Sequence, residues 1–125
     1  RKEAARKPTS EEWLPDELDR KAKVEAGETV VANLQRDKHL ISWAAQNGKM
    51  LAIDRSSKWG NPFILGPDGD RDDVCDCFEK YAAMKRSFAD NADNLKGKVL
   101  CCHCYPERCH GDSLIGMFAS GGSHV

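Results

Sequence analysis

At 125 residues and a formal net charge of −1, the chain has room for one domain and lacks the basic surplus of a general binder of nucleic acid or anionic membrane. Apolar residues make up 40% and charged residues 31%, which implies a small core, and no apolar run is long enough to cross a bilayer. Nothing resembles a signal peptide. The six cysteines crowd against one another and against histidine, which argues against a secreted disulfide framework and for metal binding or thiol chemistry in a cytoplasmic, reducing setting.

The chain opens on Arg1 rather than methionine, as expected of a fragment or a processed product. Residues 1–27 read as an N-terminal helical arm or linker. Thr9 stands three residues before Glu12 in a capping pattern, Pro15 suits a first helical turn, and Gly27 suits the stop. The apolar face Leu14, Leu18 and Ala22 is thin, so a solvated linker helix is expected, with docking through Trp13 and Leu14 as the alternative.

A compact α/β domain is expected over residues 28–119, followed by a flexible tail at 120–125. Thr29 to Ala32 is a β-branched, apolar strand. A helix carrying Leu40, Ile41, Trp43 and Ala44 ends at Asn47 and Gly48, and Met50 to Ile53 is a second strand. Pro62 to Leu65 reads as a short extended piece and Gly66 to Asp70 as a turn. A long helix is predicted from Arg71 to Phe88, a third strand from Lys98 to Cys102, and a last helix from Pro106 to Ala119. Alternating strands and helices imply a small Rossmann-like, three-layer domain with a short, mainly parallel sheet.

Chemistry concentrates in the segment Cys101-Cys102-His103-Cys104-Tyr105-Pro106-Glu107-Arg108-Cys109-His110-Gly111-Asp112. It spans a strand end and a helix start, where ligands gather in open α/β sheets. In an extended strand Leu100, Cys102 and Cys104 share one face, and Val99, Cys101 and His103 share the other. Two readings follow. Cys102, Cys104, Cys109 and His110 supply the donor types of a tetrahedral zinc site. Alternatively, Cys109 in the first helical turn is a nucleophile, His110 its general acid or base, and Asp112 either orients His110 or caps the helix. Apart from the zinc reading, Cys101 and Cys102 read as core residues, and Cys75 and Cys77 as packing residues.

Two further connectors should reach the same sheet edge. In the loop after the second strand, Ser57 and Lys58 suit phosphate oxygens, Trp59 a stacked base, and Asn61 a sugar or base edge. The bland alternative puts Trp59 in the core. After the first strand, Asn33 lies in the third connector and Arg36 is a candidate anion clamp, Gly111 completing the candidate ligand-binding set.

Several stretches resemble a known family. Thr29 to Leu34, Ser57-Lys58-Trp59-Gly60-Asn61-Pro62-Phe63, Gly69-Asp70-Arg71 and the segment from Gly97 through Cys102, Cys104 and Cys109-His110-Gly111-Asp112 are similar to the domain of unknown function 4326 family, over about residues 28–119. The chain departs from the family pattern at Cys101, usually a small residue, and at His103, usually tryptophan. The resemblance implies a phage or actinobacterial origin and the cytoplasm of a bacterial host. The arm from Glu11 to Gly27 resembles the connector in phage proteins with an upstream ParB-like domain, which implies an association with DNA. No activity is implied. Two functions stay open from the sequence: a domain that binds or processes a nucleotide or nucleic-acid-derived phosphate compound at a Cys-His site, and a non-catalytic, zinc-stabilised DNA-associated or protein-interaction module.

Overall fold

The β-branched run after Thr29 forms β1 (Val30–Asn33), Met50 to Ala52 forms β2 (Met50–Ala52), and the apolar run before the cysteine cluster forms β3 (Val99–Cys102). The structure, a computed structural model, describes residues 13–119. The expected Thr9–Glu12 cap, the charged start and the 120–125 tail lie outside the described residues.

All pairing is parallel, in the order β1-β3-β2, with Val31 beside Leu100, Asn33 beside Cys102, and Ala52 beside Cys101. The central strand β3 is buried along its whole length. Its alternation sorts the core into two layers. Leu100 and Cys102 join Val31, Ile53, Trp59, Phe78, Phe88 and Leu114 on one face. Val99 and Cys101 join Val30, Ala32, Leu40, Ala44, Trp13 and Val24 on the other. This is the expected small α/β domain with a parallel sheet between helical layers.

On the second face lie α1 (Pro15–Glu25) and α2 (Lys38–Gln46). The helix α1 is not the solvated linker expected from its thin apolar stripe. Its buried face is Trp13, Glu17, Arg20 and Val24, a spacing of four, three and four residues that mixes apolar and charged side chains. Glu17 satisfies two helix starts at once: its carboxylate accepts from Leu14 N (2.8 Å) at the start of α1 and from Leu40 N (2.9 Å) in the first turn of α2. Arg20 forms a paired contact with Asp37, both nitrogen–oxygen distances 3.0 Å, and donates to Val31 O at 2.7 Å. Polar anchors, more than apolar area, dock this helix.

On the first face, α3 (Arg71–Met84) begins with a reciprocal cap: Asp70 accepts from Asp73 N (2.9 Å) while Asp73 accepts from Asp70 N (3.0 Å). The predicted long helix does not reach Phe88 unbroken. Lys85 adopts an extended conformation (φ −93°, ψ 100°), and the chain restarts as α4 (Arg86–Asp90). The break turns Phe88 inward, where it is fully buried against the indole of Trp59, with ring centres 4.7 Å apart. Pro62 to Leu65 joins no strand; beyond it an isolated antiparallel bridge links Gly66 and Gly69.

The last helix starts later than the sequence suggests. The Tyr105–Pro106 peptide bond is cis, Glu107 N bonds back to Cys104 O at 2.9 Å, and α5 (His110–Leu114) begins only after Cys109, continuing as a π-helical turn (Ile115–Ala119). Among the described residues no helix is long and apolar enough to cross a membrane.

Candidate functional site

The C-terminal edge of the sheet brings three thiols together. Cys102 ends β3, Cys104 lies in the following turn, and Cys109 is the cap residue of α5. Their sulfur atoms all lie within 4.8 Å of one another, and those of Cys102 and Cys109 are 3.0 Å apart. No disulfide joins them. Two of the three are enclosed: Cys102 is 2% exposed and Cys109 1%, while Cys104 is half-buried at the cavity wall.

The cap residue has a second bond that matters here. Cys109 Sγ accepts from Gly111 N at 3.2 Å, and the carboxylate of Asp112 accepts from Cys109 N at 3.1 Å. The helix start therefore directs an amide at this sulfur. Asp112 acts as a helix cap, the second of its two expected roles. Gly111 packs closely between helix and sheet: a Cβ there would lie 2.8 Å from Ile53 Cδ1 and 3.0 Å from Val31 Cγ2, so those side chains would have to shift.

His110 is fixed at both ring nitrogens. Nε2 lies 2.7 Å from Ile53 O, and a carbonyl only accepts, so Nε2 carries the proton. Nδ1 is therefore the lone-pair nitrogen, and it sits 3.6 Å from Cys109 Sγ. The edge of Phe78 (ring centres 5.0 Å apart) holds the imidazole in this orientation. Burial pushes the His110 pKa down, which keeps the ring neutral and its lone pair available.

Charge within the trio is uneven. Hydrogen bonds from Cys102 and Cys109, joined by the Arg71 guanidinium, lower the pKa of Cys104. The same bonds push Cys102 and Cys109 up, and burial adds to that. Cys101, on the opposite face, is pushed up to about 12 by burial. It is a packing residue, as expected. Cys109 Sγ, the nucleophile expected from the sequence, is enclosed and its ionisation is opposed, whereas Cys104 is the half-buried member of the trio.

Beside the thiols lies a cavity of about 410 Å³. Cys102, Cys104, Cys109 and His110 form one wall, and the 54–61 loop with Asp54, Arg55, Ser56 and Asn61 forms another. Arg71, Val74, Cys75 and Arg108 face them from α3 and the cysteine turn, with Phe63 and Leu65 completing an apolar side. The volume is that of a small-molecule site.

The other expected ligand-binding residues separate. Trp59 is 2% exposed and packs on Phe88, so it has no face for a base. Arg36 is tied to Asp16 (2.7 Å) and to Asp37, so it is no free anion clamp. Asn33 stitches the connectors together, donating to Tyr105 O (2.8 Å) and His103 O (3.3 Å) while its Oδ1 accepts from Gln35 N. Asn61 donates to Val74 O and accepts from Phe63 N. Ser57 and Lys58 line a different cavity.

Arg71 is the residue that apolar patterning missed. Its sole sequence signal was its place in the Gly69-Asp70-Arg71 motif. It lines the same cavity as Cys104, whose pKa its charge helps to lower, pairs with Glu107 at 2.9 Å and donates to Arg108 O at 3.2 Å. Arg108 in turn bridges to Asp72 (3.0 Å) and Asp76 (2.9 Å), fastening the cysteine turn to α3.

The family model described as "Domain of unknown function (DUF4326)" matches residues 32–120, a span that takes in the strand, the loop and the whole cysteine cluster. The chain belongs to that family. No curated protein and no solved structure matches it. Within this DUF4326 domain, Cys102, Cys104 and Cys109 form a group that could hold a metal ion.

Proposed function

We propose that this DUF4326 domain is a metal-binding module that takes a zinc-class ion through Cys102, Cys104 and Cys109, with His110 Nδ1 as the fourth donor. The observation that carries the reading is the convergence of three sulfurs within 4.8 Å from a strand end, a turn and a helix cap. A tetrahedral zinc with sulfur at about 2.3 Å sets its ligand sulfurs about 3.8 Å apart. Nitrogen and sulfur on one such ion would be about 3.5 Å apart, and His110 Nδ1 lies 3.6 Å from Cys109 Sγ. Its other nitrogen donates to a backbone carbonyl, the usual outer partner of a ligating histidine. His110 stands beside Cys109 but outside the group of three, so binding draws its ring toward the other two sulfurs. The ion would then lock the end of β3, the 103–108 turn and the start of α5 into one unit. That is the work of a non-catalytic, zinc-stabilised module.

A second reading has its own observation. The 410 Å³ cavity beside Cys104 is lined by Arg55, Arg71 and Arg108 against the carboxylate of Asp54. Arg71 and Arg108 also pair with carboxylates outside it, and the set suits an anionic compound such as a nucleotide. In that reading Cys104 is the reacting thiol, and a nucleotide protects it from alkylation in metal-free protein.

Zinc titration of the reduced chain against a chromophoric chelator tests the first reading. One equivalent should bind, and Cys109→Ser should weaken it at least about a hundredfold, since a direct ligand counts for more than the outer partners whose loss costs 10–100-fold. Uptake no stronger than that of the Cys109→Ser chain would overturn it.

A further inference from the structure

A second cavity, of about 430 Å³, lies between the 55–62 loop and the junction of α3 with α4. It shares only Arg55 and Asn61 with the cavity beside the thiols. Three cations line it, Arg55, Lys58 and Lys85, together with the hydroxyls of Ser57 and Ser87. Among the described residues no carboxylate lines it.

Among the described residues no carboxylate pairs with any of the three. Arg55 donates to two carbonyls, Asn61 O (2.8 Å) and Phe63 O (3.1 Å), which orient the guanidinium without cancelling its charge. Lys58 meets only the ring of Trp59, 5.6 Å from its centre. Lys85 meets only the rings of Tyr81 and Phe88. Arg20, Arg36, Arg71 and Arg108, by contrast, each contact at least one carboxylate. Three unpaired cations around one hollow repel each other unless an anion joins them. The extended Lys85, where the predicted helix breaks, is what brings the third cation to the loop.

We propose that this cavity binds a phosphate group, with Arg55, Lys58 and Lys85 as its charged partners and Ser87 as a hydroxyl donor. Phosphate offers several acceptor oxygens and at least one full negative charge, matching a set made of donors and cations. The site goes beyond the metal reading and does not depend on it.

Amide chemical shifts of the full chain test this, with inorganic phosphate, a nucleoside monophosphate and a short single-stranded oligonucleotide as probes. All should shift residues 55–60 and 85–87, and sodium chloride at equal ionic strength should not. Lys58→Gln and Lys85→Gln should each weaken binding about tenfold, the weight of one charge-assisted hydrogen bond. Tightest binding of the monophosphate marks a small-molecule source. Tightest binding of the oligonucleotide, falling steeply with salt, marks backbone phosphate. Shifts equally produced by chloride, or unaffected by both substitutions, would overturn the proposal.

Discussion

Replacing Asp37 with alanine is expected to destabilise the fold by about 3–5 kcal/mol, the range for removing one partner of a buried ion pair. Asp37 is fully buried and accepts from both terminal nitrogens of Arg20, from Arg36 and from Asn33 N (2.8 Å). Without it the Arg20 guanidinium, on a residue 5% exposed, keeps only backbone oxygens, the ring of Tyr105 (4.0 Å) and Asp16 at 3.6 Å. A loss of that size is a large part of the ~5–15 kcal/mol that holds a domain together, and it should lower the urea midpoint by about 2 M. The pairing can be isolated by a cycle. Arg20→Met with Asp37→Leu should cost less than Asp37→Ala alone, because no charge is stranded. If Asp37→Ala costs under about 1 kcal/mol, this contact does not secure α1 to the sheet.

The second large effect concerns the thiols. Zinc at a thousand times its dissociation constant should stabilise the chain by about 4 kcal/mol, or roughly 15 °C in Tm for a domain of this size. The three-stranded sheet and its two apolar layers do not contain the ion's ligands alone, so the metal-free chain should melt cooperatively at the lower temperature. Melting curves recorded with zinc and with chelator measure the difference, and Cys104→Ser should remove it. Identical curves would show that the cysteines act without metal.

Much of this architecture is legible in the chain. Val30-Val31, Leu51 and Val99-Leu100 announce strands, and the alternation of strands with helices implies the parallel sheet. The grouping of Cys102 with Cys104 follows from the two-residue period of an extended segment. What escaped is instructive in physical terms. The helix α1 looked solvated because its inward face is Trp13, Glu17, Arg20 and Val24; a periodicity count reads two of those four as polar. Their partners, Leu40 N and Asp37, lie 17 or more residues away and leave no local trace. Residue type points Arg36 to a ligand and Trp59 to a ligand or the core, and it is Asp16 and Phe88, distant in sequence, that claim them. Cys109 was placed inside a helix because Pro106 suits a first turn, yet Pro106 belongs to the preceding turn and Cys109 became the cap. That shift is what directs its sulfur at Cys102. Arg71 carried no chemical signal of its own until the fold set it against Cys104.

X-ray absorption at the zinc edge of the loaded chain tests the central claim most directly. Three sulfurs at about 2.3 Å and one nitrogen at about 2.0 Å are expected, with the nitrogen lost in His110→Ala. A first shell of oxygen and nitrogen without sulfur, or a chain that retains no zinc after desalting, would contradict it.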